Sequence, residues 1–214
     1  MKNNIFEGQI IPINRDNVDT DIIIPKQYLK SIKKSGFGPF LFDSLRYMTT
    51  ATLDSTEERE KNASFILNQA PYCDGSILIS KSNFGCGSSR EHAVWAIQNY
   101  GINAVIAENY ADIFSRNSYK NGLLLISLDK ATISKIINDS LSASSYIIRI
   151  NLTTNSIILP DKTNLSFKIN DGYKNRIMNN LDDIELTLKY KNEISEYESK
   201  IKKIRPWLFD NETK

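Results

Sequence analysis

The stretch from Ser76 to Leu128 constrains the fold more strongly than any other part of the chain. Three short aliphatic runs alternate there with two segments whose apolar residues recur at helical spacing, and Gly101 and Gly122 follow those segments. A glycine directly after a helical pattern marks a C-terminal stop. The order strand, helix, strand, helix, strand predicts an α/β fold with a parallel layer. The predicted strands are 76–80, 103–107 and 123–128, and the predicted helices are 89–100 and 111–121.

The segments on either side of this layer predict additional strands. Residues 8–14 are apolar and extended in pattern, and residues 146–168 alternate as antiparallel strands do. A β-branched run at residues 22–24 ends at Pro25 and favours extended structure. The polar residues 48–61 lack apolar spacing, so we expect an exposed excursion there.

A tail at about residues 190–205 predicts an amphipathic helix. Apolar side chains recur there at three- and four-residue spacing, at Ile194, Tyr197, Ile201 and Ile204. Such a stripe packs on the chain's own body or on a partner, and we favour burial against its own core. We find no linker and no internal repeat, and expect residues 1–214 to form a single domain with this helical tail.

Composition excludes several classes of protein. The 214 residues carry a formal net charge of +2, which gives no electrostatic reason to bind nucleic acid or an anionic membrane. Cys73 and Cys86 are the only cysteines, which fits a reducing compartment. The chain shows neither a signal-peptide pattern nor an apolar run long enough to span a membrane. We therefore expect a soluble cytoplasmic protein.

The turn between the first predicted strand and helix could carry chemistry. Ligands of α/β proteins bind where strands end and helices begin, and free N–H groups of a helix's first turn attract anions. Gly85 and Gly87 allow close backbone approach, and Ser88, Ser89 and Arg90 add two hydroxyls and a guanidinium. A guanidinium recognises carboxylate or phosphate as a fork, so this pattern indicates an anion site.

A structural interpretation of the same residues is equally compatible with the pattern. Ser88 followed by Glu91 matches a capping box, with which any helix could begin. Phosphate-loop and dinucleotide fingerprints are absent, and Cys73, Cys86 and His92 are too few for a zinc site. His92 is expected to pack or cap locally.

Two segments together resemble one family. Residues 17–26, which read NVDTDIIIPK, and residues 83–93, which read NFGCGSSREHA, resemble the small subunit of 3-isopropylmalate dehydratase, and residues 111–118 match that family's second helix. The family is similar to the mobile C-terminal domain of aconitase. The resemblance extends over about residues 8–190.

The resemblance implies a swivelling β/β/α domain that works with a partner. The partner is an iron-sulfur large subunit that holds a [4Fe-4S] cluster on three cysteines, in a heterodimer. This chain has two cysteines, so it supplies no metal site of its own. The implied reaction interconverts 2-isopropylmalate and 3-isopropylmalate by dehydration and rehydration in leucine biosynthesis.

The resemblance also assigns roles to individual residues. Ser88 occupies the position of the base that removes the carbon-bound proton as an alkoxide. Ser89 and Arg90 match positions that hold a substrate carboxylate, and Asp21 matches an aspartate that orients the site. In the family, the segment after the first motif contacts the variable side chain of the substrate. Here Tyr28, Leu29 and Ile32 suit an apolar group, whereas Lys30, Lys33 and Lys34 keep an acidic one possible.

Two other functions stay open from the sequence. The first is the small subunit of a related hydro-lyase of homoaconitase, citraconate or dimethylmalate type, which residues 85–90 do not distinguish. The second is a non-catalytic anion-binding module, which the double motif disfavours.

Overall fold

The structure is a computed structural model that describes residues 4–30, 34–52 and 58–209. The chain divides into two compact units, Met1–Asn180 and Leu181–Lys214. The first unit contains a seven-stranded sheet. Its strands are β1 (Ile5–Ile13), β2 (Ile77–Ser80), β3 (Ala104–Ala107), β4 (Leu124–Ser127), β5 (Ile147–Asn151), β6 (Ser156–Ile158) and β7 (Asn164–Ser166).

The strand order is β4-β3-β2-β1-β5-β6-β7. Strands β1 to β4 are parallel to one another, whereas β5, β6 and β7 continue the sheet from β1 in antiparallel pairings. The long strand β1 joins the two parts, because Ile10–Ile13 pair with β2 and Ile5–Gln9 pair with β5. The predicted parallel layer and the predicted antiparallel strands are both confirmed, in one mixed sheet.

Eight α-helices accompany the strands in the described part of the chain. They are α1 (Thr20–Ile23), α2 (Asp43–Arg46), α3 (His92–Tyr100), α4 (Asp112–Asn121), α5 (Lys130–Ser142), α6 (Asp171–Asn179), α7 (Asp183–Leu188) and α8 (Lys191–Ile204). Helices α3 and α4 end at Gly101 and Gly122, whose φ angles of 105° and 73° are left-handed as predicted. No helix among the described residues is long and apolar enough to cross a membrane.

Alternating side chains place a separate core on each face of the sheet. Ile11, Leu78 and Val105 face one core, in which α3 and α4 pack. Ile10, Ile77 and other alternate residues face the opposite core, to which α5 and α6 contribute. This alternation follows from the two-residue period of a strand. The candidate loop leaves β2 on the side of the first core, where Phe84 is fully buried.

The β-branched run at residues 22–24 does not form a strand. Thr20 to Ile23 form one helical turn, because the Asp19 side chain caps it by accepting a hydrogen bond from the Ile22 N–H at 2.7 Å. A capping aspartate here outweighs the extended preference of β-branched residues. Ile24 then returns to extended backbone before Pro25.

The second unit contains the predicted tail helix. Helix α8 spans Lys191–Ile204, which confirms a helix at the predicted place. It contains no buried residue, and Tyr197 is 65% exposed. The expected burial of its apolar stripe against the chain's own core stays a prediction.

Candidate active site

The two sequence motifs lie side by side in the structure. Gly85 donates its N–H to the Val18 carbonyl at 2.7 Å, and the Thr20 N–H donates to the Cys86 carbonyl at 2.9 Å. These bonds form a short parallel bridge between Asp19 and Cys86. The segment that enters α1 and the loop that follows β2 are therefore held together by backbone hydrogen bonds, although about 65 residues separate them.

The loop is held on its other side by the segment that enters α4. The Phe84 N–H donates to the Asn109 carbonyl at 3.1 Å, and Ala111 returns a bond to the Phe84 carbonyl at 3.0 Å. Gly85, with a φ of +77°, lies directly over the Phe114 ring. A Cβ at Gly85 would stand 2.2 Å from Cγ of that ring, so only glycine fits at this position.

This frame brings Ser88, Arg90 and Asp21 together. The Ser88 N–H donates to Thr20 Oγ1 at 3.1 Å, which fixes the backbone of the serine. Arg90 Nη1 donates to Asp21 Oδ1 and forms an ion pair with it. The Arg90 side chain is 17% exposed, while that of Asp21 is 56% exposed. The residues predicted to act on an anionic substrate are therefore neighbours at a solvent-accessible edge.

The predicted capping box is wrong. Helix α3 begins at His92, its N-cap is Glu91, and no side chain caps it. The Glu91 carboxylate instead accepts hydrogen bonds from Asn121 Nδ2 at 2.8 Å and Lys120 Nζ at 3.1 Å. Partial desolvation would raise the pKa of Glu91, but these two hydrogen bonds outweigh it and lower the pKa. Ser88 therefore lies before the helix, and its side chain does not cap α3.

The start of α3 also changes which groups could bind an anion. The N–H groups of Ala93 and Val94 donate to the carbonyls of Arg90 and Glu91 at 3.3 and 3.0 Å. These two amides of the first turn are therefore already hydrogen-bonded within the protein. The Arg90 guanidinium is the group at this loop whose forked geometry suits a carboxylate.

Ser89 and α4 are linked by a contact that sequence reasoning missed. Asn117 Nδ2 donates to the Ser89 carbonyl at 3.2 Å. Asn121, one helical turn later, donates to the Asn117 carbonyl and to Glu91. The spacing of two asparagines by four residues is the signal that could have predicted one helical face turned toward the loop. Helix α4 therefore clamps the loop from Ser89 to Glu91.

Tyr28 and Leu29 lie on a short 3₁₀ helix, Lys26–Lys30. Tyr28 is fully buried, donates its hydroxyl proton to Asp43 Oδ2 at 2.9 Å and stacks on Phe40. Leu29 is half-buried. The hydroxyl of Tyr28 is thus occupied by Asp43 and is not brought to Ser88. The predicted contacts at Ile32 and Lys33 lie outside the described residues.

His92 and Cys86 take structural positions. The His92 ring lies edge-on to Phe37 at 5.2 Å and tilted against Trp95 at 4.6 Å, in keeping with the expected local packing. Cys86 is half-buried and free of any disulfide. Within the described part of the chain, no group of three or more His, Cys, Asp or Glu residues could hold a metal ion.

Comparison with known proteins decides the family. Residues 3–131 match the family model of the aconitase C-terminal domain, and residues 183–211 match that of the C-terminal domain of the 3-isopropylmalate dehydratase small subunit. The chain is 46% identical over 203 residues to the 3-isopropylmalate dehydratase small subunit of Hahella chejuensis, covering 94% of each chain. The chain belongs to the family of 3-isopropylmalate dehydratase small subunits.

Further relatives agree with this assignment. The 3-isopropylmalate dehydratase small subunit of Dechloromonas aromatica is 45% identical over 206 residues, covering 95% of this chain and 97% of that protein. A crystal structure of 3-isopropylmalate dehydratase from Methanocaldococcus jannaschii aligns with a TM-score of 0.62 and 26% identity, over 90% of this chain and 99% of that one. The predicted family, mixed α/β fold class and aconitase-type hydro-lyase class are confirmed.

Proposed function

We propose that this chain provides the proton-transfer and carboxylate-binding half of a 3-isopropylmalate dehydratase site. One observation carries the proposal: the backbone bridge between Asp19 and Cys86 brings Asp21, Ser88 and Arg90 to a single edge of the fold. An enzyme that removes a proton next to a carboxylate needs a base and a carboxylate-binding cation at one place. The substrate class is a branched 2- or 3-hydroxy dicarboxylic acid.

Arg90 is proposed to hold a substrate carboxylate. Asp21 accepts from Nη1, and no other described residue accepts from Nε or Nη2, so that edge can make a second, forked interaction. Because the guanidinium is mostly buried and already oriented by Asp21, little side-chain freedom is lost when substrate binds. Ser89 supplies an adjacent hydroxyl, and its backbone is fixed by Asn117.

Ser88 is proposed to act as the base. Its backbone is anchored to Thr20, while its hydroxyl accepts or donates no hydrogen bond with the described residues. A serine alkoxide is stable only beside positive charge, which Arg90 supplies two residues further along the chain. In this role the alkoxide takes the proton from the substrate carbon and returns it to the neighbouring carbon.

The proposal includes a large subunit that carries a [4Fe-4S] cluster, together with this chain in a heterodimer. The small-subunit family of this chain supports a partner. Two free cysteines in this chain, Cys73 and Cys86, do not make the donor set of such a cluster, so the partner's residues would hold it. When bound there, the cluster supplies a Lewis acid for the departing hydroxyl.

We also propose that residues 1–214 form a single aconitase-type swivelling domain with a helical tail at about residues 190–205, because matched family models lie on both parts of the chain. Two free cysteines favour a cytoplasmic location.

The test is anaerobic reconstitution with the cluster-bearing large subunit of the same genome. Turnover would be followed by the ultraviolet absorbance of the alkene intermediate, with 3-isopropylmalate, homoaconitate and citraconate offered separately. We expect turnover of 3-isopropylmalate by the mixture and none by either chain alone. A preference for another acid would assign the chain to a related hydro-lyase, and inactivity of a formed complex with all three would contradict the proposal.

A further inference from the structure

A buried ionic cluster lies behind the short helix that carries Tyr28 and Leu29. Its members are Tyr28, Asp43 and Arg59, which we call the Asp43 cluster. Tyr28 and Asp43 are 0% and 1% exposed, and the Arg59 side chain is 11% exposed. Asp43 Oδ2 accepts a hydrogen bond from the Tyr28 hydroxyl at 2.9 Å. Asp43 Oδ1 forms an ion pair with Arg59 Nη2 at 2.6 Å.

The cluster joins three segments that are separate in sequence. Arg59 comes from residues 48–61, which the sequence predicts only as an exposed excursion. That excursion is closed at its base, where the Met48 N–H donates to the Glu60 carbonyl at 3.0 Å. Ala51, near the start of this segment, also contacts Tyr28, because the Ala51 N–H donates to the Tyr28 hydroxyl oxygen at 3.3 Å. The Arg59 guanidinium lies 3.7 Å above the Tyr47 ring, which holds it in place.

The charges in the cluster reinforce one another. Burial raises the pKa of Tyr28, and the Asp43 carboxylate raises it further, so the tyrosine stays a donor. Desolvation would lower the pKa of Arg59, but the hydrogen bond and charge of Asp43 outweigh it and raise the pKa. Replacing a buried ion pair by apolar residues of the same volume is often neutral or stabilising, so such a pair is weak evidence for a stabilising role. The arrangement is therefore better suited to positioning than to stability.

We propose that the Asp43 cluster is a positioning device that fixes Leu29 and thereby sets discrimination for the variable, non-reacting group of the substrate. The inference rests on the proposed function and on the predicted contact of Leu29 with that group. Leu29 directly follows Tyr28 on the same 3₁₀ helix, so a bond that fixes Tyr28 also restrains the backbone of Leu29. We propose that contacts to the non-reacting group act equally on the ground and transition states, so that losing them raises KM and leaves kcat nearly unchanged.

The test compares Arg59→Met and Tyr28→Phe with a matched control in the full chain reconstituted with the large subunit. Tyr28→Phe keeps the stack on Phe40 and removes only the hydroxyl. The control is Arg149→Met, since Arg149 also pairs with a carboxylate, that of Glu7, at 2.6 Å but is 54% exposed. Arg59→Lys keeps the positive charge, so it should raise KM for 3-isopropylmalate less than Arg59→Met does.

We expect the two cluster variants to raise KM for 3-isopropylmalate about tenfold with kcat changed less than about threefold. The increase should be smaller for citraconate, whose apolar group is a single methyl. Arg149→Met should behave as the parent protein does. Equal increases in KM for both substrates, or a fall in kcat at constant KM, would overturn the inference and indicate that the cluster is merely structural.

Amide hydrogen exchange gives a second readout that is independent of activity. In the full chain, Arg59→Met and Tyr28→Phe should accelerate exchange across residues 26–30, whereas Arg149→Met should not. Unchanged exchange would overturn the positioning role. An inactive parent complex combined with accelerated exchange would refute the proposed function instead, so the two failures are distinguishable.

Discussion

Arg90 donates a hydrogen bond from Nη1 to Asp21, 69 positions earlier in the chain. Asp21 lies on α1 and Arg90 lies in the loop that precedes α3, and the bridge between Asp19 and Cys86 holds these two segments together. Because Asp21 is more than half exposed, this pair orients the guanidinium more than it stabilises the fold.

Asp21→Ala should therefore impair activity while leaving stability nearly unchanged. Loss of the ion pair frees Arg90 to leave the geometry that binds a carboxylate, and we expect kcat/KM of the reconstituted enzyme to fall about 100-fold. The free energy of unfolding should change by less than about 1 kcal/mol, as for other exposed ion pairs. Asp139→Ala, which removes the exposed pair with Lys135, is the control and should change neither quantity. An unimpaired Asp21→Ala enzyme would contradict the orienting role.

Thr20→Val tests whether the hydrogen bond from Ser88 to Thr20 matters for kcat, because valine keeps the packing of residue 20 and removes only this bond. Valine fills the same volume but removes Oγ1, the acceptor of the Ser88 N–H. We expect kcat to fall about tenfold because the base loses its fixed position, and stability to fall by about 1–3 kcal/mol. Thr20→Ser restores the hydroxyl and should recover most of the rate. If serine and valine at this position gave the same kcat, the anchoring bond would have no catalytic role.

Gly85→Ala should destabilise the chain more than Gly122→Ala. Both glycines have left-handed φ, at 77° and 73°, but a Cβ at Gly85 overlaps Phe114, whereas nothing lies within 4 Å of one at Gly122. The shared backbone cost is about 1 kcal/mol, and overlap with a buried ring adds about 1–3 kcal/mol at Gly85 alone. Chemical denaturation of both variants measures the difference. Equal losses would show that the loop moves away from Phe114 without cost.

Glu91→Gln should change how stability depends on pH. The folded chain holds the pKa of Glu91 below its ordinary value of 4.5, because hydrogen bonds from Asn121 and Lys120 outweigh desolvation. A lowered folded pKa adds stability that is complete above the unfolded pKa and is lost as pH falls through the folded pKa. The parent chain should therefore melt at higher temperature than Glu91→Gln near pH 7, and the difference should shrink below about pH 4.5. A difference in melting temperature that stays constant from pH 7 to pH 3 would contradict a stabilising role for the hydrogen bonds of the Glu91 carboxylate.

The parallel layer could be predicted because its information is local. Periodicity defined each strand and helix between Ser76 and Leu128, and Gly101 and Gly122 marked the helix ends. Helix α5, Lys130–Ser142, went unpredicted, although Asp129 caps it and Ile133, Ile136 and Ile137 form its buried face. The juxtaposition of Asp21 with Arg90 followed from resemblance to a family and not from spacing.

The errors share a physical cause, since each depends on partners that are distant in sequence. A serine followed three residues later by glutamate matches a capping box locally, but Glu91 pairs with Asn121, 30 residues further on. Likewise, nothing near Arg59 in the sequence indicates that it reaches Asp43. Tertiary contacts override local propensity at such positions.

The most direct test of the central claim is Ser88→Ala in the reconstituted complex, with Ser89→Ala as its matched control. The measurement is kcat for 3-isopropylmalate, together with exchange of the carbon-bound substrate proton with deuterium from solvent. We predict that Ser88→Ala assembles normally but loses both turnover and exchange by at least about 100-fold, whereas Ser89→Ala mainly raises KM. Turnover by Ser88→Ala at the rate of the parent complex would contradict the assignment of Ser88 as the base.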